Sequence, residues 1–283
     1  MDFYIVIPAH NEAEFLEQTL QSLVNQTLKP KKIVIVNDHS TDNTQLIIEK
    51  FSSGHNFIVS IQKTSSSQHV PGSKIINAFY AGFNTLDNNY DVICKFDADL
   101  IFPEDYLEKI AEHFKVNNNI GMAGGFCYIE SNGEWILENL TNKEHLRGAL
   151  KAYRKECFEQ IGELKPSIGW DTVDELLAQY YGWIIKTDAA LIVKHLRPTG
   201  SGYKASSSLL QGEAMYKMGY GIIITLISAV KIAFKKKQFA LIPDYLKGFI
   251  KAKKQKIPFL VTKEQAQFIR KFRWRGILNK LKL

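Results

Sequence analysis

The first hundred residues alternate short apolar runs with segments of helical periodicity, and few folds accommodate that alternation. Four largely apolar runs predict buried strands: Tyr4–Ile7, Ile33–Val36, Ile58–Ile61 and Val92–Phe96. Between them, apolar residues at helical spacing predict three helices: Phe15–Val24, Thr44–Phe51 and Lys74–Leu86. Strands that alternate with helices predict an α/β fold with a single doubly wound, mostly parallel sheet flanked by helices.

Polar clusters follow three of these strands, at the point where each strand ends. They are Pro8–Glu12, Asn37–Asp42 and Asp97–Asp99. The carboxyl ends of parallel strands meet at one edge of a sheet, which is where such folds bind ligands. The carboxylates of Asp97 and Asp99 are ligands that Mg²⁺ and Mn²⁺ prefer. An isolated Asp-x-Asp pair fits an ordinary turn, so the shared edge is the observation that favours a metal and ligand site.

The second half of the chain is less regular, with the following predicted elements. Strands are predicted at Ile120–Tyr128, where Gly124 and Gly125 allow close backbone approach, and in two short pieces, Trp183–Lys186 and Ala190–Val193. Helices are predicted at Lys143–Gln160 and Glu175–Tyr181. Polar loops are predicted at Thr64–Gly72 and Tyr203–Ser208.

Composition indicates a folded protein of the cytoplasm. The 283 residues are 45% hydrophobic, which is enough for a large core. The 3 cysteines are odd in number and far apart, so we expect reduced thiols rather than disulfides. No basic segment precedes the first apolar run, and the apolar stretch Tyr220–Phe234 is shorter than the ~20 residues of a spanning helix.

Charge is distributed unevenly along the chain. The segment Lys231–Leu283 contains 16 Lys/Arg and 2 Asp/Glu, a net charge of +14, whereas the preceding residues carry −7. We expect a basic, amphipathic helical extension over Leu209–Leu283, broken at Pro243 and Pro258, after a main domain over Met1–Ser208.

Two interpretations of this extension are nearly balanced. Apolar residues joined to Lys, Arg and Trp274 are typical of interfacial helices, which predicts peripheral attachment to the anionic inner face of the plasma membrane. The alternative is a solvated helical face. Nucleic-acid binding is not favoured, because no recognisable nucleic-acid-binding module accompanies the charge.

Several motifs in succession resemble family 2 nucleotide-sugar glycosyltransferases of the type A fold. The motifs span roughly Tyr4 to Gly200, and their order makes the resemblance more specific than any one of them. Those of the first half are Ile5-Val-Ile-Pro-Ala-His-Asn-Glu12, Gln26-Thr27, Ile35-Val-Asn-Asp-His-Ser-Thr-Asp-Asn-Thr44 and Phe96-Asp-Ala-Asp99. The resemblance implies inverting transfer of a sugar from a nucleoside diphosphate donor, with a divalent metal, Mn²⁺ or Mg²⁺.

The resemblance also implies donor-binding residues. Asp38 would accept a hydrogen bond from the base, such as a uracil imide, and Asp97 would face the ribose or the metal. The residues that would line the donor site around them are Pro8, Ala9, Glu12 and Ala98. The chain departs from the family pattern at Asn37 and His39, and His39 leaves the shape of its loop open. Asp42 is better explained as a helix cap.

The segment Gly169–Leu176 supplies candidates for the catalytic base. An inverting transfer requires a carboxylate to take the proton of the acceptor hydroxyl. Comparison with the family pattern favours Asp171, and a shifted register would make Asp174 the base. Asp174 and Glu175 also suit a purely electrostatic role at a helix N-terminus. Trp170 would either stack on an acceptor sugar or belong to the core.

The segment Val193–Gly200 supplies candidates for metal and diphosphate binding. The family places a third metal ligand here, so His195 would join Asp99, with Asp97 as a further ligand. Arg197 would bridge diphosphate oxygens. Lys74, at a predicted helix start, would do the same or is an ordinary surface lysine. An isolated histidine is usually structural, and His195 gains weight only from its order after the other motifs.

These residues predict an inverting, metal-dependent glycosyltransferase of hexosyltransferase type. The expected donor is a UDP-sugar, and the expected acceptor is a glycan or lipid-linked hydroxyl in surface polysaccharide synthesis. One alternative is transfer to a polyprenyl phosphate, whose anionic oxygen needs no base. Another is a non-catalytic nucleotide-sugar-binding or membrane-scaffold protein, which would bind donors without transferring sugar.

Overall fold

The computed structural model describes residues 1–63, 72–138, 144–198 and 207–281. The loops predicted at 64–72 and 203–208 lie almost entirely outside these residues. The chain forms two compact units, one of Met1–Pro166 with Tyr181–Ser201 and one of Ser167–Tyr180 with Gly202–Leu283. The predicted boundary between the main domain, Met1–Ser208, and the C-terminal extension, Leu209–Leu283, stays a prediction.

The first unit is an α/β layer structure. Its described strands are β1 (Phe3–Ala9), β2 (Lys32–Asp38), β3 (Ile58–Lys63), β4 (Val92–Phe96), β5 (Leu100–Ile101), β6 (Ile120–Ser131), β7 (Glu134–Leu137), β8 (Leu150–Arg154) and β9 (Ile184–His195). Its described helices are α1 (Leu16–Val24), α2 (Thr44–Gly54), α3 (Ser73–Phe83), α4 (Tyr106–Val116) and α5 (Lys155–Gln160).

These strands form a single sheet in the order β3-β2-β1-β4-β8-β6-β9-β5, with β7 paired to β6. The first four strands in that order are parallel, and Ile5 pairs with Ile33 on one side and Cys94 on the other. All seven residues of β1 are buried, because helices cover both faces of a parallel sheet. The predicted α/β class with one helix-flanked sheet is confirmed, and antiparallel pairs of β8, β5 and β7 extend it.

The helix predicted over Lys143–Gln160 was wrong for the central residues of that range. Residues Leu150–Arg154 form β8, an antiparallel strand between β4 and β6, and only Lys155–Gln160 is helical. Four of the five residues of β8 are buried, so sheet pairing outweighs the helix propensity of Leu, Lys and Ala. Likewise the two short strands predicted after Trp183 are one continuous strand, β9.

The second unit is helical. Its described helices are α6 (Trp170–Tyr180), α7 (Ser207–Lys217), α8 (Ile222–Lys236), α9 (Leu241–Lys254) and α10 (Lys263–Leu281). The predicted break at Pro243 was wrong, because a proline in the first turn of α9 has no intrahelical partner to lose. The chain turns earlier, at Lys237, whose φ is +54°. The break at Pro258 is confirmed, since it falls between α9 and α10. None of the described helices has the length and apolarity required to cross a membrane.

Close backbone approach at Gly125 gives a test of the sheet. A Cβ at this position would lie 2.2 Å from the carbonyl oxygen of Leu191 on β9, a backbone atom that cannot swing away. Gly125→Ala is therefore expected to lower the free energy of unfolding by about 2 kcal/mol or more, measured by chemical denaturation. Gly54→Ala is the control, because a Cβ added at Gly54 would meet no atom within 4 Å. Equal stability of the two variants would contradict the pairing of β6 with β9.

Candidate active site

The strand-end clusters lie together at the carboxyl edge of the parallel strands. Ala9 at the end of β1 pairs with Asn37 near the end of β2. After these strands, the backbone N–H of Glu12 donates to Oγ1 of Thr44 at 2.8 Å. The backbone N–H of Asn11 likewise donates to the hydroxyl of Ser40. The two loops therefore form one continuous rim.

Asp38, the last residue of β2, presents a buried carboxylate at this edge. Its side chain is 4% exposed, and among the described residues the ammonium groups of Lys63 and Lys74 lie 3.9 Å and 3.7 Å from its carboxylate oxygens. Among the described residues, no group donates a hydrogen bond to its Oδ1. A buried carboxylate oxygen without a donor is costly, so Asp38 suits a ligand that brings an N–H group.

The structure gives the conformation of the loop after Asp38, which the sequence did not predict because His39 departs from the family pattern. His39 has a φ of +60°, a left-handed conformation that Gly or Asn adopts more readily. Asp42 accepts hydrogen bonds from the backbone N–H groups of Thr44, the first residue of α2, and of Ala13. Burial raises the pKa of Asp42, but a hydrogen bond from the Thr44 hydroxyl and these backbone bonds outweigh it and hold that pKa below its usual range. Asp42 therefore ties the helix start to the neighbouring loop.

Asp97 is paired with a buried lysine. The ammonium of Lys95, on β4, forms an ion pair with Asp97 and also donates to the carbonyl oxygen of Gly148 at 3.2 Å. Lys95 is 1% exposed, and a buried cation requires such partners. Sequence analysis missed Lys95, although a lysine inside an apolar strand was a visible signal.

The turn between Asp97 and Asp99 is fixed by Thr19 of α1. Its buried hydroxyl donates to the carbonyl oxygen of Ala98 at 2.8 Å and accepts from the backbone N–H of Leu100 at 3.0 Å. The orientation of the two carboxylates therefore depends on the packing of α1 against this turn.

Asp99 and His195 face each other because β5 pairs with β9. Leu100 lies opposite His195 in this antiparallel pair, and the backbone N–H of Leu196 donates to the carbonyl oxygen of Asp99. Nε2 of His195 lies 3.6 Å from Oδ2 of Asp99. Both residues are buried. Tertiary pairing thus unites residues that are 96 positions apart in the sequence.

The other ring nitrogen of His195 contacts Glu138, which sequence analysis also missed. Nδ1 lies 3.1 Å from Oε2 of Glu138, and Arg147 lies 3.0 Å from the same oxygen. Burial lowers the pKa of His195, but the adjacent carboxylates of Asp99 and Glu138 outweigh it and raise the pKa to about 9. Glu138 and Arg147 belong to no recognisable motif, so no local signal could have found them.

Among the described residues, two groups of side chains are candidates for binding a divalent cation. Asp99 and His195 fit, since ligand atoms about 2.1 Å from an octahedral cation are about 3 Å apart and the observed separation is 3.6 Å. Cys127, Glu138 and His195 form a second, buried group whose ligand atoms lie within 4.8 Å. That group suits Mn²⁺ or Mg²⁺ poorly. Burial raises the pKa of Cys127 to about 12, sulfur is a soft ligand, and Arg147 already neutralises Glu138.

Glu12 and Arg197 form a bidentate ion pair within the first unit. Two guanidinium nitrogens donate to the Glu12 carboxylate at 3.2 and 2.9 Å, and the guanidinium lies 5.1 Å from the ring centre of Phe15. Burial raises the pKa of Glu12 to about 7, opposed by Arg197 and assisted by the charges of Asp99 and Asp97. Glu12 is therefore electrostatically coupled to the two aspartates.

The candidate bases lie in the second unit, on α6. Asp171, in its first turn, is partly exposed, whereas Asp174 is 1% exposed and Glu175 is also buried. Trp170 is buried as well, which fits packing into the core. The helix is anchored at its far end, where the ring of Tyr180 meets Phe268 of α10 edge-on. Of the two aspartates, Asp171 is the more accessible to a substrate.

A match to a family model establishes the family of the chain. The model described as glycosyl transferase family 2 matches residues 4–164, more than half of the sequence. The chain belongs to glycosyl transferase family 2. This match confirms the predicted family and the predicted enzyme class, a glycosyltransferase.

Two curated relatives resemble part of the chain. A probable glycosyltransferase, YdaM, of Bacillus subtilis (strain 168) is 37% identical over 98 residues, which cover 34% of this chain and 22% of that protein. The poly-beta-1,6-N-acetyl-D-glucosamine synthase of Staphylococcus aureus (strain COL) is 29% identical over 121 residues, 42% of this chain and 27% of that protein. The chain thus matches only about a quarter of the length of these relatives.

Two solved structures share the fold. The mannosyltransferase PcManGT from Pyrobaculum calidifontis, in complex with GDP-Man and Mn²⁺, has a TM-score of 0.58 at 13% identity, covering 99% of this chain and 80% of that one. TarS 1-349 of S. aureus, in complex with UDP-GlcNAc, has a TM-score of 0.57 at 17% identity, covering 89% and 73%. At these identities the likeness establishes the fold.

The contact between Glu138 and His195 yields a prediction about metal affinity. Glu138→Gln is expected to weaken Mn²⁺ binding by about 10- to 100-fold, because an amide secures the ring orientation that presents Nε2 less firmly. Isothermal titration calorimetry with Mn²⁺ in the presence of UDP measures this affinity.

Two further variants separate the candidate cation sites. Asp99→Asn should abolish Mn²⁺ binding, and Cys127→Ala should leave it unchanged. Loss of binding in Cys127→Ala, with binding intact in Asp99→Asn, would instead assign the ion to the buried group of Cys127, Glu138 and His195.

Proposed function

We propose that this family 2 member is an inverting, metal-dependent glycosyltransferase that moves a sugar from a nucleoside diphosphate donor to an acceptor hydroxyl. The observation that carries the proposal is the pair of Asp99 and His195, 3.6 Å apart beside the strand-end carboxylates. If this edge of the sheet had only a structural role, the fold would not require a buried carboxylate and a buried imidazole, both common metal ligands, to face each other. The intact pair also argues against the non-catalytic alternative.

Asp38 supports a uracil donor. Its buried Oδ1, without a hydrogen-bond donor among the described residues, fits the imide N–H of uracil. Pro8, Ala9, Glu12 and Ala98 belong to the same edge and are proposed to line the donor site. TarS, which binds UDP-GlcNAc, is a precedent for such a donor, although PcManGT binds GDP-Man.

Asp99 and His195 are proposed to bind the divalent cation, Mn²⁺ or Mg²⁺. Asp97 is the third candidate ligand, and its ion pair with Lys95 favours a role toward the ribose for its remaining oxygen. When bound, the cation would neutralise the charge that develops on the leaving nucleoside diphosphate. PcManGT provides a precedent with Mn²⁺.

Arg197 and Lys74 are proposed to meet the diphosphate. Arg197 uses two of its five N–H groups on Glu12, so it retains donors for phosphate oxygens. Lys74, 3.7 Å from Asp38, adds positive charge at the donor side of the edge. Together they would balance carboxylates that otherwise repel an anionic donor.

Asp171 is proposed to be the catalytic base. It would remove the proton of the acceptor hydroxyl as that oxygen attacks the anomeric carbon and inverts its configuration. The partial exposure of Asp171 supports this role over Asp174, which is 1% exposed. The burial of Trp170 favours its packing role over acceptor stacking.

Replacing the base separates two acceptor classes. Asp171→Asn is expected to lower kcat by roughly 10²- to 10⁴-fold for a hydroxyl acceptor, because an amide cannot take the proton. Transfer to a polyprenyl phosphate would persist, since its oxygen is already anionic. Kinetics with both acceptor types, with the anomeric configuration of the product determined by NMR, provide the measurement.

Asp174→Asn is the matched control for this prediction. It should lower stability, because Asp174 is buried, and leave kcat of the folded enzyme nearly unchanged. A large loss of kcat in Asp174→Asn with full activity in Asp171→Asn would assign the base to Asp174 instead.

The acceptor is proposed to be a glycan or lipid-linked sugar of a surface polysaccharide. The relative that synthesises poly-beta-1,6-N-acetyl-D-glucosamine supports this class, although the match covers 27% of that protein. We also propose a cytoplasmic location with the cationic C-terminal helices on the inner face of the plasma membrane, where a lipid-linked acceptor would be presented.

A donor panel tests the nucleotide assignment. With Mn²⁺ present, UDP-sugars should be used in preference to GDP-sugars, and Asp38→Ala should weaken UDP binding by roughly 10- to 100-fold through loss of a hydrogen bond to a charged group. Asp91→Asn is the control, because Asp91 precedes β4 at the opposite edge of the sheet. Tight binding of a donor without transfer to any acceptor would favour the non-catalytic alternative.

A further inference from the structure

Helix α8 presents apolar residues on two opposite sides. One side is buried within the helical unit and consists of the apolar Ile224, Ala229 and Ala233 together with Thr225, whose hydroxyl donates to the carbonyl oxygen of Gly221. The opposite side, the outward face of α8, follows helical spacing and consists of Ile223, Leu226, Ile227, Val230 and Phe234. Ile223 and Phe234 are 58% and 64% exposed. Packing against the described part of the chain therefore covers only one of the two apolar sides.

The exposed apolar surface continues past the end of the helix. The ring of Phe234 meets Phe239 edge-on at 5.2 Å between ring centres, and Phe239 is itself mostly exposed. Two exposed aromatic rings that pack on each other form a prominent apolar tip. A contiguous exposed apolar surface of this kind marks an interaction site.

Positive charge adjoins the outward face of α8 at the C-terminal end of the helix, and this charge indicates the partner. Lys235, Lys236 and Lys237 follow Phe234 directly, and all three are exposed. Between Glu213 and Asp244 the sequence contains 5 Lys/Arg and no acidic residue. Apolar side chains beside a purely cationic cluster complement a surface that is apolar inside and anionic outside, which is an acidic lipid bilayer.

We propose that the outward face of α8 lies in the interfacial layer of an anionic bilayer, with Phe234 and Phe239 inserted and Lys235–Lys237 at the phosphates. At 15 residues, α8 is about 22 Å long, which suits a helix parallel to the surface better than the roughly 30 Å hydrocarbon core. The inference specifies the membrane contact of the proposed function and rests on it. Vesicle binding requires neither donor nor metal, so it can fail independently of sugar transfer.

The test measures co-sedimentation with vesicles of phosphatidylglycerol and phosphatidylcholine, and with vesicles of phosphatidylcholine alone. The wild type should bind the anionic vesicles more tightly, and added salt should weaken that binding. Phe234→Glu should reduce the partition coefficient at least about tenfold, since a large apolar side chain is lost from the interface. Leu46→Glu is the matched control and should bind as the wild type does, because Leu46 is 63% exposed on α2, outside the helical unit.

Two further variants test the contributions of the lysines and of the Phe234 side chain to vesicle binding. Replacing Lys235, Lys236 and Lys237 by glutamine should weaken binding roughly fivefold per lysine. Phe234→Trp should bind and show quenching by brominated lipid, which keeps the proposal testable even if Phe234→Glu misfolds. Absence of wild-type binding to anionic vesicles would overturn the proposal, as would a dimer that Phe234→Glu converts to a monomer, since the face would then join two copies of the chain.

Discussion

The pairing of β5 with β9 is the constraint on which the candidate site depends. A two-residue strand, Leu100–Ile101, fixes Asp99 on one side, and the register of Leu100 opposite His195 fixes the imidazole on the other. A slip of one residue would turn His195 to the other side of the sheet, since side chains alternate along a strand. The close approach of Gly125 to β9 and the hydroxyl of Thr19 at the Asp97–Asp99 turn secure the same arrangement.

Several buried or half-buried charges among the described residues of the sheet unit are paired with an opposite charge. Lys95 pairs with Asp97, Glu138 contacts both Arg147 and His195, and Glu12 is bidentate with Arg197. Such pairs seldom add stability beyond what apolar residues would give, but removing one member leaves a costly buried charge. Their concentration at one edge of the sheet is therefore better explained by the orientation of the carboxylates and imidazole of the candidate site than by stabilisation of the fold.

The sequence-based predictions were accurate for elements that depend on local sequence and failed for elements that depend on contacts between distant residues. Strands β1 to β4 and helices α1 to α3 were predictable, because each has a local apolar period and the parallel order follows from their alternation. The strand β8 was not, since Leu150–Arg154 has no strand pattern of its own and extends only because β4 and β6 flank it. The same holds for the break in the C-terminal helices, which occurs at Lys237, in a left-handed conformation, rather than at Pro243.

The sequence alone was sufficient to predict the family, the α/β class and the candidate residues Asp38, Asp99 and His195. Ordered motifs and strand ends are local features of a chain, so they can be recognised without its tertiary structure. Only the tertiary structure decided that Glu138 and Arg147 support His195, that Lys95 neutralises Asp97, and that Asp174 is buried while Asp171 is accessible. It also decided which apolar side of α8 is covered. The physical reason is that desolvation and ion pairing depend on neighbours in space, and neighbours in space are fixed by strand register and helix packing rather than by local sequence.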